Sequence, residues 1–295
     1  MENGIIRPRL PIEADPIIDI IKQYGADVCL QILEREIPKL NNSLDFELED
    51  GEDDTLHPLN IQGIKMLTLS DTHFPYHHLI ALKTALQEGK NFGVDVVYLN
   101  GDIMDCYQVS KHSKDIRKRN MRYEIDLTKQ FLQLLRHNFK NAQIFYKFGN
   151  HEYRWERFLQ SQAPEMLGIT EIELATLLQL NNYGIQYVEQ NRIAKFGKLN
   201  IAHGHEYRSI FGGGINNARN TRIKAGNHNV LIGHYHRTQE DIAKDIDDNF
   251  TGSWVTGCLC KLNPLYAGKT QWNWGYALIE QSGGKFEVYN KKIIV

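Results

Sequence analysis

The stretch FYKFGNHEYRWERF, residues 145–158, joins an apolar run to a dense group of polar side chains. The run ends at Phe148, and Asn150, His151 and Glu152 follow almost at once. A short apolar run that stops at a glycine is typical of a buried strand. The stretch therefore predicts a strand whose carboxyl end carries an amide, an imidazole and a carboxylate.

The same arrangement recurs along the chain. Apolar runs typical of buried strands alternate with helical stretches at 78–93 and 121–139. Nearer the C-terminus, further strand-like runs surround a turn at 282–284, which predicts a closing hairpin. This alternation predicts an α/β fold whose second half is richer in strands. The predicted strands are 64–70, 94–100, 143–148, 199–203, 229–234, 251–259, 276–281 and 285–290.

A different pattern precedes these units. Residues 14–40 have a helical period that is broken at Gly25, and an acidic run with seven acids and no base follows at 45–54. Without those seven acids the formal net charge of −2 becomes +5, so the rest of the chain suits an anionic substrate, unless the run is simply a solvated linker. We predict an N-terminal helical segment with an acidic linker at 1–60 and a main domain at 61–295.

The sequence lacks the features of membrane and secreted proteins. It has no apolar run of membrane-spanning length, and its first residues lack a basic-then-apolar pattern. The four cysteines show no paired C-x-x-C spacing, which favours reduced thiols over a disulfide framework or a zinc site. We expect a cytoplasmic protein that does not contact a membrane.

Side chains that bind metals or move protons follow five of the predicted strands. Taken singly, each is compatible with a structural role, because buried polar groups usually have a hydrogen-bond partner. Their joint occurrence favours one shared site, since sites in open α/β sheets form outside the carboxyl ends of the strands. In chain order these residues are Asp71, His73, Asp102, Asp105, Asn150, His151, Glu152, His203, His205, His234 and His236.

The order of these motifs resembles that of the calcineurin-like metallophosphoesterases. The motifs read D-x-H, G-D-x-x-D, G-N-H-E, H-G-H and G-H-x-H, and they cover roughly residues 61–260. The overall sequence pattern is similar to that of the compact phage-type and bacterial members of this family. The resemblance implies an α/β fold built as a β-sandwich of two mixed sheets flanked by helices. It also implies a phosphoester hydrolase with a dinuclear metal centre and a metal-activated hydroxide.

The resemblance further assigns the ligands of two divalent ions. Asp102 would bridge the ions and take part in catalysis. A mixed set of carboxylate, imidazole and amide donors suits transition metals, so we expect manganese first, with iron, zinc, nickel or cobalt as alternatives. The first ion would be held by Asp71, His73 and His236, and the second by Asn150, His203 and His234.

Four nearby residues receive supporting roles. His151 resembles the family's acid, which protonates the leaving alkoxide or binds the phosphate. Glu152 is interpreted as a carboxylate that orients a ligand, or as an ordinary acid at a helix start. Asp105 has a similar interpretation, with a loop salt bridge as the alternative. His205 competes with His203 for the same ligand position.

Basic residues beside the motifs bear on the substrate. A positive rim around two metal ions suits a polyanion such as DNA or RNA, although the same residues are also compatible with an ordinary solvated face. The candidate substrate-binding residues are Arg154, Arg119, Arg122, Arg219 and Arg222.

Three functions stay open from the sequence. The favoured one is a phosphodiesterase or nuclease that acts on nucleic acid. A phosphomonoesterase or nucleotide hydrolase would use the same metals in a narrower pocket. An inactive fold kept as a binding or assembly module is disfavoured, because no ligand position is lost. The N-terminal segment would cover the site, form a homodimer or dock a partner.

Overall fold

The computed structural model describes residues 21–41, 55–111, 120–207, 216–244, 246, 248–264 and 268–294. The chain divides into two compact units after residue 54. The acidic run at 45–54 and the candidate substrate-binding Arg119 lie outside the described residues. The domain boundary near residue 60 therefore stays a prediction.

The N-terminal unit contains helical residues 21–24 and helix α1 (Ala26–Asn41). Gly25 separates them with a φ of 78°, in the left-handed region that glycine enters at little cost. It is the position at which the sequence predicts the break. The apolar side chains Val28 and Leu30 remain 44% and 56% exposed, so the described part of this unit does not bury a core of its own.

The described residues of the main unit contain two six-stranded sheets. The strands are β1 (Leu59–Ile61), β2 (Lys65–Leu69), β3 (Val96–Asn100), β4 (Gln143–Lys147), β5 (Ile185–Val188), β6 (Ala194–Phe196), β7 (Leu199–Ile201), β8 (Val230–Ile232), β9 (Gln239–Lys244), β10 (Phe250–Val255), β11 (Gly275–Ser282) and β12 (Lys285–Lys292).

Both sheets are mixed. The first sheet has the order β12-β11-β2-β3-β4-β5, with a parallel run from β2 to β5 and an antiparallel hairpin, β11–β12, beside β2. The second has the order β1-β6-β7-β8-β10-β9, in which β7, β8 and β10 are parallel. The parallel strands place their carboxyl ends at one edge of each sheet.

Five α-helices of the main unit are described. They are α2 (Leu79–Phe92), α3 (Met121–Asn138), α4 (Tyr153–Gln162), α5 (Leu174–Leu177) and α6 (Asn217–Lys224). Helix α2 connects β2 to β3, helix α3 connects β3 to β4, and helix α4 begins shortly after β4 ends.

Alternation along the strands builds the layers. On β2, Met66 joins the core between the two sheets, whereas Leu67 and Leu69 join the core that contains α2 and α3. This follows from the two-residue period of a strand, which sends successive side chains to opposite faces. On the far side of the second sheet, Val230 and Ile232 pack with Ala218 of α6. The order of layers is helices, sheet, sheet, helix.

The predicted fold class, α/β with two mixed sheets flanked by helices, is confirmed. Each predicted strand overlaps an observed one, and α2 and α3 match the predicted helices within one residue. The prediction missed four strands, β1, β5, β6 and β9. The first three have only three or four residues, and β9 alternates half-buried and exposed residues at a sheet edge, which gives no apolar run. Among the described residues, none of the helices has the length and apolarity needed to cross a bilayer.

Candidate metal centre

The centre lies where the carboxyl ends of both sheets meet. Strands β2, β3 and β4 lead into Asp71, Asp102 and Asn150, and β7 and β8 lead into His203 and His234. The two groups touch across the gap between the sheets. His203 Nε2 lies 3.2 Å from Asp102 Oδ2, and the His234 backbone N–H donates to Asp71 Oδ2 at 2.9 Å.

A pair of hydrogen bonds fixes this junction. Asn100, the last residue of β3, donates from Nδ2 to the Ala202 carbonyl at 2.7 Å. In return, the Asn100 carbonyl accepts from His203 Nδ1 at 2.6 Å. Because a carbonyl only accepts, His203 Nδ1 carries the proton and its Nε2 is the atom directed at Asp102.

Five of the predicted ligands adopt a backbone conformation that side chains rarely take. They have φ angles of 48° to 67°, in the left-handed region. Such residues are uncommon outside glycine, cost of order 1–3 kcal/mol each, and cluster at functional sites. The residues are Asp71, His73, Asp102, His234 and His236.

Asp71, His73 and His236 form the first half of the centre. His236 Nε2 lies 3.1 Å from Asp71 Oδ1 and 3.2 Å from His73 Nε2. The other nitrogen of His73, Nδ1, lies 3.2 Å from Asp105 Oδ1. All four side chains are buried. Two imidazole nitrogens that face each other this closely need a proton or a cation between them.

Asp102, His203 and His234 form the second half. Their ligand atoms lie within 4.8 Å of one another, and Asp102 falls within the same distance of Asp71 and His73. Asp102 is therefore the carboxylate that the two halves share.

Charge at the centre is balanced between the carboxylates and the imidazoles. Burial opposes ionisation of Asp71, but the charge and hydrogen bond of His236 hold the pKa of Asp71 well below its usual range. Burial likewise opposes protonation of His203, yet Asp102 raises the pKa of His203 to about 10. Burial, followed by the charge of His203, lowers the pKa of His234 to about 4. Protonated His203 therefore compensates buried negative charge, which is what a bound cation would also do.

The side-chain amide of Asn150 carries an unsatisfied acceptor, because its Oδ1 is buried and has no hydrogen-bond partner among the described residues. Asn150 is held next to Asp102, because the backbone N–H of His151 donates to Asp102 Oδ1 at 2.9 Å. A Cβ on Gly149 would collide with the same carboxylate, so the chain passes there only as glycine. A buried, unpaired carbonyl oxygen is what a metal ligand without its metal looks like.

This donor set fits a pair of transition-metal ions. It contains carboxylate oxygens, imidazole nitrogens and an amide oxygen, and the amide oxygen, Asn150 Oδ1, is buried without a hydrogen-bond partner among the described residues. All the ligands predicted from the sequence lie at this junction, and their individual roles remain predictions.

His151 stands beside the centre in a defined tautomer. Its Nδ1 lies 2.9 Å from the Asp105 carbonyl, and its Nε2 lies 2.8 Å from Arg154 Nη2. Because a guanidinium only donates, Nε2 is the acceptor and Nδ1 carries the proton. Arg154 also donates from Nη1 to the Asp105 carbonyl at 2.9 Å. The imidazole and the guanidinium thus form one unit at the edge of the centre.

Glu152 accepts hydrogen bonds from five donors. Its Oε1 accepts from the Ile103 and Met104 backbone N–H groups at 2.7 and 2.9 Å and from the Tyr146 hydroxyl at 2.9 Å. Its Oε2 accepts from the backbone N–H groups of Asp102 at 3.0 Å and Gly149 at 2.8 Å. Glu152 therefore fixes the backbone that carries Asp102 and Asn150, in keeping with the predicted orienting role.

His205 lies further out than His203. Its Nε2 lies 3.0 Å from Gln190 Nε2, and burial lowers its pKa to about 4. It belongs to none of the candidate ligand groups found among the described residues, whereas His203 does. The geometry favours His203 for the ligand position.

An ion pair that was not predicted from the sequence supports the loop that carries His203. Buried Lys147 lies 2.9 Å from Glu206 Oε1, and Glu206 accepts from the backbone N–H groups of His203 and Gly204 at 3.1 and 2.7 Å. Burial opposes ionisation of Glu206, but Lys147 lowers its pKa to about 2. The sequence does contain a signal for this ion pair, because Lys147 lies within an apolar strand and a buried lysine needs an acidic partner.

Cys260 is a second residue at the centre that was not predicted from the sequence. Its Sγ lies within 4.8 Å of ligand nitrogens of His73 and His236, and all three side chains are buried. The sequence favours ordinary thiols, because no local spacing links Cys260 to His73, which lies almost two hundred residues earlier in the chain.

The candidate substrate-binding arginines are not equivalent. Arg154 lies at the centre, but Arg222 is engaged elsewhere, with Nε 2.6 Å from Asp241 Oδ2 and Nη1 donating to Asn227. We therefore withdraw Arg222, whose guanidinium is held by a carboxylate on β9. Arg122 pairs weakly with Asp126 on its own helix, at 3.7 Å, and is 91% exposed.

Residues 64–254 match the family model described as calcineurin-like phosphoesterase. No curated protein matches. Similar solved structures include Vacuolar Protein Sorting 29 of Cryptosporidium parvum, with 13% identity, a TM-score of 0.34 and coverage of 78% of this chain and 98% of that chain. Another is YfcE, a phosphoesterase from E. coli, with 14% identity, a TM-score of 0.34 and coverage of 73% and 87%.

The Glu152 network predicts a stability effect. In Glu152→Gln an amide NH₂ would face N–H donors, so the free energy of unfolding of the metal-free protein should fall by about 2–5 kcal/mol. Urea unfolding followed by circular dichroism measures it. Glu156→Gln, an exposed position on α4, is the matched control and should change stability by less than about 0.5 kcal/mol. Equal small effects of both variants would contradict the orienting role.

Proposed function

The chain belongs to the calcineurin-like phosphoesterase family, and on this premise we propose that it is a dinuclear-metal-dependent phosphodiesterase that acts on nucleic acid. The coarser part of this statement, a phosphoester hydrolase, follows from the family. The class of ester is inferred from the surroundings of the centre.

One observation carries the proposal. Seven donor side chains from five strand ends meet at one buried junction, and Asn150 Oδ1 there has no partner among the described residues. A stable core has no need to bury so many charged and polar groups together, because each loses its hydration. Binding two cations would satisfy them.

We assign the ligands as the family resemblance implies. Asp71, His73 and His236 would hold the first ion, Asn150, His203 and His234 would hold the second, and Asp102 would serve both. When bound, the ions would withdraw charge from the phosphoryl oxygens and lower the pKa of a water molecule to near neutrality. The metals belong to the transition series, with manganese, iron, zinc, nickel and cobalt all compatible with these donors.

His151 and Arg154 would handle the leaving group. Arg154 now occupies the lone pair of His151 Nε2, at 2.8 Å. An arriving phosphate is a stronger partner for a guanidinium than an imidazole is, so it would draw Arg154 towards itself. The freed Nε2 would then be able to carry the proton that the departing alkoxide needs.

The shape and charge beside Asn150 favour an extended anionic substrate. A cleft of about 820 Å³ contains Asn150 and three basic side chains, and none of the described residues that line it is acidic. A groove of one charge sign that leads away from the centre suits the phosphates on either side of a scissile bond. The basic residues are Lys111, Arg154 and Arg157.

A phosphomonoesterase or nucleotide hydrolase is the second candidate. It would use the same metals, and Arg154 beside His151 would equally suit a terminal phosphate. The cleft favours the diester, because a monoester leaves most of that basic surface unused. An inactive binding module of the same fold is the third outcome that the following experiments separate.

Replacing the shared carboxylate tests the dinuclear centre. Asp102→Asn should lose both ions by elemental analysis and lose at least about 100-fold of its activity on bis-p-nitrophenyl phosphate, because the amide offers one weak oxygen in place of two charged ones. Asp126→Asn, on the exposed face of α3, should keep metal and activity. A wild-type protein that binds no metal and cleaves neither this diester nor p-nitrophenyl phosphate would leave only the inactive module.

His151→Ala tests the proton donor. It should retain both ions while its rate falls by about 10²–10⁴-fold for an alkyl leaving group, and by much less for p-nitrophenol, which departs without a proton. His137→Ala, exposed on α3, serves as the control. Loss of metal in the His151 variant would mean that this imidazole is a ligand.

The cleft predicts a preference for long substrates. Lys111→Gln combined with Arg157→Gln should weaken binding of a single-stranded oligonucleotide and reduce its salt slope by about 1–2, with little effect on the small chromogenic diester. The control pair, Lys140→Gln with Lys198→Gln, changes exposed cations at the opposite ends of the strands. Equal losses on both substrates would argue against a nucleic-acid groove.

A further inference from the structure

Hydrogen bonds connect the segment after β10 to the loop after β2, which carries the first two predicted ligands. The backbone N–H of Leu259 donates to the Asp71 carbonyl at 3.1 Å, and the Leu259 carbonyl accepts from His78 at 2.7 Å. One residue later, the Cys260 carbonyl accepts from Trp274 Nε1 at 2.8 Å. These contacts hold the backbone of Cys260 in place from both sides.

This placement puts a thiol among the ligands of the first ion. Cys260 Sγ lies within 4.8 Å of ligand nitrogens of His73 and His236, and these side chains are 3%, 4% and 6% exposed. The three atoms have the spacing of a common ligand shell, and solvent has almost no access to them.

His236 supplies an independent sign of a cation site beside this thiol. Its Nε2 faces Asp71 Oδ1 at 3.1 Å and His73 Nε2 at 3.2 Å, a grouping that calls for a cation. The thiol is the fourth potential donor at this point.

We propose that Cys260 is a ligand of the first metal ion, together with Asp71, His73 and His236. This inference rests on the proposed function, since it needs the dinuclear centre to exist. The thiol would release its proton to solvent and bind as the thiolate, as cysteine ligands do. The first ion would then have a sulfur–nitrogen–oxygen shell, whereas the second would have nitrogen and oxygen donors only.

A sulfur ligand narrows the class of metal. Thiolates select zinc, iron and similar ions, whereas manganese and magnesium prefer oxygen ligands. The first site should therefore hold zinc, ferrous iron or cobalt in preference to manganese. The second site carries no such restriction, and a mixed-metal centre is the expected form.

Cys258 provides a matched control. It is also fully buried and lies two residues away, where its Sγ donates to the Asn273 carbonyl at 3.6 Å and shares a hydrogen bond with the Cys260 thiol. It belongs to none of the candidate ligand groups among the described residues. Its removal tests the loss of a buried thiol without the loss of a ligand.

Cobalt(II) titration of the full-length metal-free protein tests the proposal. A thiolate–cobalt bond produces a charge-transfer band in the near ultraviolet, so the band should appear in the wild type and in Cys258→Ala and be absent from Cys260→Ala. Competition with a chromophoric chelator should show zinc affinity at the first site reduced by about 10- to 100-fold in Cys260→Ala. Manganese affinity should change by less than about threefold, because manganese gains little from sulfur.

The outcomes separate the two proposals. Cobalt binding by the wild type without a thiolate band, or a band that survives in Cys260→Ala, overturns the sulfur ligand and leaves the dinuclear centre standing. Failure of the wild type to bind cobalt or zinc overturns the proposed function as well. Circular dichroism of the metal-free variants checks folding. If Cys260→Ala does not fold, Cys260→Ser, which keeps the volume, replaces it and should also lack the band.

Discussion

The burial of Asp71 and Asp102 is the constraint on which the rest of the structure depends. Two carboxylates sit almost without solvent at the junction of two sheets, and each touches an imidazole, His236 or His203. Charges so placed need compensation of several kcal/mol, which protons or cations supply. The surrounding polar groups extend this compensation, as Glu152 and Glu206 hold the loops that carry Asp102 and His203.

The backbone shares in this constraint. The left-handed conformations of Asp71, Asp102 and His234 bend the chain sharply at the strand ends, so that side chains from both sheets turn inward rather than continuing along the strands. Such conformations persist only when the surroundings enforce them. Here the backbone N–H groups of all three residues donate hydrogen bonds, that of Asp71 to the Gly101 carbonyl, that of Asp102 to Glu152 and that of His234 to Asp71. These hydrogen bonds fix the backbone that carries the charged side chains, which suits catalysis by positioned charges.

Much of this architecture could be predicted from the sequence. Buried parallel strands read as continuous apolar runs, so their ends, and the polar residues at them, were visible without a structure. The features that could not be predicted are contacts between residues that lie far apart in the chain. Nothing local places β11 beside β2, links Lys147 to Glu206, or brings Cys260 to His73. The ion pair that engages Arg222 was hidden for the same reason, since its partner, Asp241, lies on an edge strand that the apolar pattern could not reveal.

Anomalous X-ray diffraction from crystals soaked with zinc and phosphate tests the central claim most directly. The account predicts two anomalous peaks about 3.5–4 Å apart, with the Asp102 carboxylate between them and the phosphate on the side of His151. A single peak, or peaks remote from Asp71 and Asp102, would contradict it.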